Sequence, residues 1–385
     1  MGIHFGWYAT RGTGPTVPTQ NDVETKMDGS GMDVCMSFGV RTLPTITEYV
    51  SKVDSDILDA TTGYLGATTE VKLILDLWDE ALDELRSSST STDMTTIKND
   101  LGGDSKVWGY HIEEPNYASY EWPSDTSVRR SNTILNNKPL VVNVRPGGNV
   151  DATDPLDPTP STAATQNTFN QLAAECDIIS SFWYPGAGND WSKIKPMADS
   201  GKPLYFLANN NQSTPFWYTI EVSAQANADV VKSIIYWQIH RALAEGARGV
   251  LFYSWGYASA TARTDVYNVI KDLTTDTTMD VVLDRDRKTT GVSFTSGGSK
   301  VTHGYWEYDG EHYLLVVDTD VTSALSKSFT VQCDIGTSQY ADFELVIEQY
   351  SGGEITSSKV SPSKVEFSDS IPRGEAKFYR MVVQD

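Results

Sequence analysis

The stretch Val107-Trp-Gly-Tyr-His-Ile-Glu-Glu-Pro-Asn116 is a short apolar run that ends in two carboxylates, a proline and an asparagine. The run predicts a strand that ends at Ile112, and Pro115 cannot donate a hydrogen bond to a neighbouring strand. Glu113 and Glu114 therefore follow the carboxyl end of a predicted parallel strand, which is where barrels of alternating strands and helices place their reacting groups. A solvated acidic turn that closes an ordinary strand is the alternative interpretation.

Short apolar runs alternate with helical patterns on both sides of this stretch. We predict strands at residues 3–9, 32–38, 71–77, 107–112, 139–144, 176–181, 203–208 and 249–254. The helices between them include a long one over residues 222–245, which ends at Gly246, a usual helix stop. Eight strand and helix units in this length match the size and order of a (β/α)8 TIM barrel, an α/β fold.

The pattern changes at about residue 280. Helical periodicity disappears, and short strand-like runs are separated by Gly, Ser, Asp and Pro. We therefore predict two domains, a barrel over residues 1–275 and a smaller all-β sandwich over residues 280–385. No linker rich in Pro or Gly divides them, so we expect the sandwich to pack rigidly on the barrel.

An open doubly wound sheet is the competing fold for the first domain. The chain has neither a glycine-rich phosphate loop after the first strand nor a Walker-type motif, which disfavours that fold. We expect no cofactor. The three cysteines, Cys35, Cys176 and Cys333, form no close pairs and have no metal-ligand spacing, so neither a disulfide framework nor a metal site is expected.

The charge balance bears on the partners of the chain. It carries 51 acidic and 30 basic residues, a formal net charge of −21, which argues against a nucleic-acid partner. The acidic excess would also suit a hydrated surface in a salty medium, so halophilic adaptation is a hypothesis. The charged fraction of 21% is only average and supports that hypothesis weakly.

Targeting signals are sparse. The amino terminus has no basic region followed by an apolar run, and no window reaches membrane-spanning length. We expect no membrane insertion and no secretion signal. The chain would then stay in the cytoplasm until lysis, or form part of a virion or reach the exterior in another way.

The segment Trp108-Gly-Tyr-His-Ile-Glu-Glu-Pro115 resembles the fourth-strand signature of (β/α)8-barrel glycoside hydrolases, in which Asn-Glu-Pro or Asp-Glu-Pro carries the general acid/base glutamate. The resemblance covers roughly the whole barrel, and a trailing sandwich is common in such enzymes. It implies Glu114 as the acid/base. Three later segments agree with it in order: Asp177-Ile-Ile-Ser-Ser-Phe-Trp-Tyr-Pro185, Lys202-Pro-Leu-Tyr-Phe-Leu207 and Ala244-Glu-Gly-Ala-Arg-Gly-Val-Leu-Phe-Tyr-Ser-Trp255.

The nucleophile departs from the family pattern. Retaining glycosidases need two carboxyls about 5 Å apart, whereas inverting ones hold them roughly 6.5–9.5 Å apart. In the retaining clan the nucleophile is a glutamate at the end of strand seven, but the predicted strand runs into Leu207-Ala-Asn-Asn-Asn-Gln212. Glu221 falls at the start of the predicted long helix, where a carboxylate is favourable to the helix dipole. Double-displacement chemistry is therefore in doubt from the sequence.

Two other carboxylates are candidate partners. Asp76 ends the third predicted strand and would face the same mouth of the barrel, although it could equally cap the following helix. Glu113 is favoured by strand alternation, because Tyr110 and Ile112 read as the helix-facing set and leave Gly109, His111 and Glu113 pointing inward. Strand alternation thus favours Glu113 as the catalytic carboxylate, whereas the family motif implies Glu114.

Polar and aromatic side chains near the predicted strand ends could bind a sugar. For each aromatic residue taken alone core packing is the commoner role, and His4 and His111 could be core histidines. Together the set makes a sugar cleft credible. The hydrogen-bonding candidates are His111, Asn143, Arg145 and Asn209, and the stacking candidates are Trp7, Trp183, Tyr184, Trp217 and Trp255.

Two functional hypotheses follow. The first is a glycoside hydrolase that acts on a polysaccharide or cell-surface glycan. The second is a non-catalytic glycan-binding, receptor-binding or structural component of a virus or phage particle, with particle subunits or further copies of the chain as partners. The second is motivated by the missing strand-seven glutamate and by the lack of a secretion signal, which particle proteins do not need.

Overall fold

The structure is a computed structural model. It describes most of both domains. The described part comprises residues 3–8, 18–37, 40, 42–68, 70–112, 125–144, 174–183, 214–223, 229–275, 277–319, 321, 323–336, 344–349, 353–355, 357–361 and 363–384.

The first domain is a closed barrel of eight parallel strands in sequential order. The first and last strands pair directly, with His4 opposite Gly249 and Trp7 opposite Phe252. This confirms the predicted (β/α)8 fold. The strands are β1 (His4–Tyr8), β2 (Val34–Met36), β3 (Lys72–Asp76), β4 (Val107–Ile112), β5 (Leu140–Val144), β6 (Ile178–Trp183), β7 (Phe216–Glu221) and β8 (Gly249–Tyr253).

Helices surround the barrel, and several start at a capping hydroxyl. Thr45, Ser91 and Ser259 each accept a hydrogen bond from the third backbone amide beyond them, which satisfies an amide that the helix leaves unpaired. The described α-helices are α1 (Gln20–Asp22), α2 (Ile46–Val53), α3 (Asp79–Ser87), α4 (Thr92–Asp100), α5 (Asp125–Ile134), α6 (Lys232–Ala244), α7 (Ala260–Thr274) and α8 (Thr277–Leu283).

The predicted position of strand seven is wrong. The strand that pairs with both β6 and β8 is Phe216–Glu221, and residues 203–208 lie outside the described part of the chain. The predicted long helix also begins too early. Val222 lies in a bend directly after the strand and donates to the carbonyl of Tyr253, and helix α6 starts only at Lys232. The run Phe-Trp-Tyr-Thr-Ile-Glu is rich in aromatic and β-branched residues, which suit a buried strand.

The second domain is a sandwich of two antiparallel sheets, as predicted. The strands are β9 (Val292–Ser296), β10 (Val301–Tyr308), β11 (Glu311–Asp318), β12 (Lys327–Asp334), β13 (Glu344–Gln349), β14 (Gly353–Ile355), β15 (Ser357–Ser361), β16 (Lys364–Ile371) and β17 (Ala376–Gln384). One sheet has the order β10-β11-β17-β13-β14 and the other β15-β16-β12-β9. A shared apolar core lies between the two sheets.

Strand β11 and helix α6 form part of the contact between the domains. On β11, Leu314 and Val316 join the core of the sandwich, whereas Leu315 and Val317 join the core of the barrel. Both faces of the strand are therefore covered, which explains its nearly continuous apolar sequence. One hydrophobic core runs from the barrel into the sandwich, and the rigidity of this packing stays a prediction.

Candidate functional site

Alternation along β7 decides which of its side chains enter the barrel. Trp217 belongs to the apolar cluster inside the barrel, and Tyr218 and Ile220 belong to the core between the strands and the helices. Successive side chains of a strand face opposite sides, so Thr219 and Glu221 face the interior. Glu221 is the last residue of β7 and therefore stands at the carboxyl-terminal mouth of the barrel.

Glu221 is almost completely buried at the mouth. It is 3% exposed and is opposite Tyr253, the last residue of β8, in the pairing of the two strands. The ring of Tyr253 meets that of Tyr8 edge to face at 5.8 Å, inside the barrel. The carbonyl of Glu221 accepts a hydrogen bond of 3.1 Å from Nε2 of Gln238 on α6. A glutamate thus stands at the end of strand seven, where the sequence predicted none.

A second group lies in the interior on β3 and β4. Nδ1 of His111 and Oδ1 of Asp76 are 3.0 Å apart, and both side chains are fully buried. The inward direction predicted for His111 is confirmed. The helix-cap interpretation of Asp76 is wrong, because Trp78 is the N-cap residue of α3 and Asp76 lies two residues before it, at the end of β3. Asp76 therefore supports His111 from within the barrel.

A chain of polar contacts crosses the interior beside this pair. Nδ2 of Asn143 donates to the hydroxyl of Tyr8 at 3.4 Å, and Oγ of Ser180 donates to Oδ1 of Asn143 at 3.1 Å. The Tyr8 ring meets that of His111 edge to face at 6.1 Å. His111 and Asn143 both contact Tyr8, so the structure brings these two predicted site residues together. Their contact with a sugar stays a prediction.

Two buried polar atoms of this interior have no hydrogen-bond partner among the described residues. They are Oδ2 of Asp76 and Oγ1 of Thr219, on side chains that are fully buried. Buried polar atoms are rarely left unpaired in proteins, and ordered water commonly satisfies them. The interior below the mouth therefore has hydrogen-bonding capacity that the described protein groups do not use.

The stacking role predicted for Trp7 and Trp255 is not supported. Trp7 is fully buried on the outer face of β1, where its ring contacts that of Phe252 at 5.4 Å. Trp255 is 2% exposed, and the guanidinium of Arg263 lies over its ring at 3.8 Å from the ring centre. Both indoles are core residues because the helices around the barrel cover them.

The predicted position of Trp217 at the mouth of the barrel is also wrong. It is inside the barrel but stacks on Trp108 at 5.4 Å, and His4 contacts both rings at about 5 Å. His4 is the first residue of β1 and Trp108 the second of β4, so these rings close the amino-terminal end of the barrel, opposite the mouth. A sugar at the mouth would not reach them.

Six predicted site residues are not described in full. Trp183 closes β6, but its side chain is not among those described. The other five lie outside the described part of the chain: Glu113, Glu114, Arg145, Tyr184 and Asn209.

The described residues contain neither a metal-ligating group nor a membrane-spanning helix. Among these residues no group of three or more His, Cys, Asp or Glu side chains could hold a metal ion. No described helix combines the length and the apolar character needed to cross a membrane. Cys35, Cys176 and Cys333 are free and buried.

The sequence matches no known protein family and no curated protein. Its fold, however, matches many solved structures. A noncanonic maltogenic α-amylase from Thermotoga neapolitana has a TM-score of 0.56 at 10% identity over 99% of both chains. A GH27 β-L-arabinopyranosidase from Geobacillus stearothermophilus has a TM-score of 0.56 at 7% identity over 99% of this chain and 96% of its own.

A third structure is the α-amylase from Geobacillus thermoleovorans complexed with acarbose, with a TM-score of 0.55 at 9% identity over 100% of this chain and 99% of its own. At such identities the likeness shows the fold alone. It extends over the barrel and the trailing domain together. The chain thus has a glycoside hydrolase-like (β/α)8 barrel followed by a smaller all-β domain.

Sequence reasoning gave no site role to five interior residues, namely Tyr8, Ser180, Thr219, Glu221 and Tyr253. Tyr8 and Tyr253 are the last residues of their strands, and each has the inward parity that was used to place His111. The same parity argument applied to β1 and β8 would have found them. Glu221 was seen but assigned to a helix, because strand seven had been placed too early.

Proposed function

We propose that this chain is a retaining glycoside hydrolase, with Glu221 as the nucleophile and Glu114 as the general acid/base. The observation that carries the proposal is the position of Glu221, buried at the carboxyl end of β7 with its side chain toward the interior. A retaining mechanism needs one carboxylate to attack the anomeric carbon and another carboxyl to protonate the leaving oxygen. Glu221 supplies the strand-seven carboxylate whose absence was the main objection to this chemistry.

The roles divide between the two strands. Glu113 and Glu114 follow β4 directly, and β4 and β7 both end at the mouth of one closed barrel. Glu221 would attack the anomeric carbon and form a glycosyl ester while Glu114 gives its proton to the departing sugar oxygen. Glu114 would then take a proton from the water that hydrolyses the ester. Strand alternation in the sequence favours Glu113 instead of Glu114, so the test must separate the two neighbouring glutamates.

The polar interior supports a carbohydrate as the ligand. Tyr8, Asn143, Ser180 and the Asp76–His111 pair give donors and acceptors below the mouth, and two buried polar atoms there lack partners in the described residues. Sugar hydroxyls both donate and accept hydrogen bonds, so they match such a lining. Structures with the same fold include an α-amylase complexed with acarbose and the protein AmyP in complex with maltotriose. We propose a polysaccharide or cell-surface glycan as the substrate.

The decisive experiment measures turnover on a glycan panel for wild type, Glu221→Gln, Glu114→Gln and Glu113→Gln. Glu221→Gln and Glu114→Gln should each lower kcat by about 10²-fold or more, because each removes a reacting group while nearly preserving shape. Glu113→Gln and the surface variant Glu80→Gln serve as controls and should keep most activity. The configuration of the first-formed product, read by NMR, should be that of the substrate.

Three outcomes would overturn parts of the proposal. Turnover that is unchanged in Glu221→Gln would rule out Glu221 as the nucleophile. Loss of turnover in Glu113→Gln, with activity retained in Glu114→Gln, would assign the general acid/base to Glu113 instead. Inversion of the anomeric configuration removes the retaining mechanism. Glycan binding without any turnover in wild type would favour the non-catalytic particle protein, whose former support, the missing strand-seven glutamate, no longer holds.

A further inference from the structure

Helix α6 connects the sandwich to the strand end that carries Glu221. It is buried along most of its length and contacts β7 on one side and β10 and β11 on another. Two consecutive residues of α6 donate side-chain hydrogen bonds to different domains. Nε1 of Trp237 donates to the carbonyl of Asp318 in the sandwich at 2.6 Å, and Nε2 of Gln238 donates to the carbonyl of Glu221 in the barrel at 3.1 Å.

The sandwich also holds the far end of this helix. Glu245, just beyond α6, pairs with Arg241 at 3.0 Å and with Arg287 at 3.4 Å. Its Oε1 also accepts from Oγ1 of Thr302 on β10, at 2.8 Å. Arg287 in addition donates to the carbonyl of Ala244, the last residue of α6. The helix is thus tied to residues outside the barrel at Trp237 and again at Glu245, on both sides of Gln238 in sequence.

Gln238 is poorly explained as a packing residue. Its side chain is fully buried among apolar neighbours of the helix, and its Oε1 has no hydrogen-bond partner among the described residues. An apolar side chain would avoid that unpaired acceptor. What the glutamine provides is one directed bond, from Nε2 to the carbonyl at the end of β7.

We propose that Gln238 is a positioning residue for Glu221, and that the C-terminal sandwich fixes the end of β7 through α6. The role assigned to Glu221 rests on the proposed function. The bond removes the freedom of the Glu221 peptide to shift out of line with the barrel. Because a displacement of about 1 Å at a reacting group can lower a rate about 10²-fold, a single backbone bond at this position matters for turnover.

The test uses the full chain with Gln238→Met, which removes the donor at similar volume, and Ile235→Met as the matched control. Ile235 is fully buried on α6, one turn before Gln238, and has no bond to β7. The first readout is hydrogen exchange at the amides of Val222 and Val230, which bond to Tyr253 and Val222 respectively. Gln238→Met should speed exchange there about tenfold, and Ile235→Met should leave it near wild type.

The second readout is kinetic. Gln238→Met should lower kcat about tenfold or more on any glycan that wild type hydrolyses, with KM within about twofold, because substrate contacts at the mouth are untouched. Trp237→Phe keeps the aromatic packing but removes the bond to the sandwich. It should change exchange at Val222 and kcat in the same direction as Gln238→Met, by a smaller factor.

The outcomes separate this inference from the proposed function. If wild type hydrolyses no glycan, the proposed function fails, and exchange alone decides the link: a selective increase in Gln238→Met supports it, and equal exchange in both α6 variants overturns it. If wild type is active, kcat unchanged in Gln238→Met overturns the positioning role. Trp237→Phe that alters only amides of the sandwich overturns the part of the proposal that concerns the second domain.

Discussion

One histidine at the amino-terminal end of the barrel links stability to pH. Nδ1 of His4 forms a short contact with Oδ2 of Asp33, and Oδ1 of Asp33 accepts from the backbone amide of Phe5. Burial by itself would lower the pKa of His4, but the hydrogen bond and charge of Asp33, together with the charges of Asp284 and Asp280, outweigh it and raise the pKa. The protonated form is therefore more stable in the folded chain than in the unfolded one.

A group with a raised pKa stabilises the fold fully below its ordinary pKa of about 6.5, and this stabilisation is lost as the pH rises through the higher folded-state value. We expect Asp33→Asn to lower the free energy of unfolding at pH 6, by at most about 1 kcal/mol because Asp33 is partly exposed. The difference from wild type should disappear toward pH 9. Urea unfolding at both pH values measures it, and an equal difference at the two would contradict the assignment.

The buried Asp76–His111 pair gives a second prediction at the residue scale. Asp76→Ala removes the acceptor of His111 Nδ1, whereas Asp76→Asn keeps a carbonyl oxygen that can accept from it. We expect the alanine variant to lose about 1–3 kcal/mol more of the free energy of unfolding than the asparagine variant. Denaturant midpoints give the comparison, and equal losses would show that the hydrogen bond contributes little.

At the scale of elements, the packing of the start of β8 depends on the absence of a side chain at Gly249. A Cβ atom at Gly249 would lie 2.6 Å from Cδ2 of Trp217, whose ring is already held against Trp108. Only glycine lets β8 approach β7 at this level of the barrel. The aromatic residues that close the amino-terminal end and the glycine opposite them are thus one packing unit.

Gly249→Ala should therefore cost about 1–3 kcal/mol of stability, the usual penalty for adding volume to a filled core. Trp217→Leu removes the obstructing ring at its own cost. In the double variant the loss should be smaller than the sum of the two single losses, since the added methyl then has room. Additive losses in a double-mutant cycle would place the strain elsewhere.

At the scale of the whole molecule, one core joins the two domains. Leu315 packs with the barrel, and its neighbour Leu314 packs within the sandwich. We expect wild type to unfold in a single calorimetric transition and to release no stable C-terminal fragment on limited proteolysis. Leu315→Asp should separate the domains into two transitions, whereas Leu314→Asp should unfold the sandwich itself. Two transitions already in wild type would contradict rigid docking.

The periodicities that define the fold are local, and the sequence alone was enough to determine them. Buried strands such as β4 and β5 read as short apolar runs, and the loss of helical patterns after residue 280 marked the sandwich. The inward position of His111 also followed from the sequence, because alternation is a property of any strand.

The tertiary structure decided which of two apolar runs became strand seven, because that choice depends on pairing with β6 and β8, which are distant in sequence. The pairing of Phe216–Glu221 with both neighbouring strands is what places Glu221 at the mouth of the barrel. The tertiary structure also decided the burial of Trp7 and Trp255, since the residues that cover an indole come from other elements. Local patterns place a residue on a strand face; only the packing of distant segments decides what that face meets.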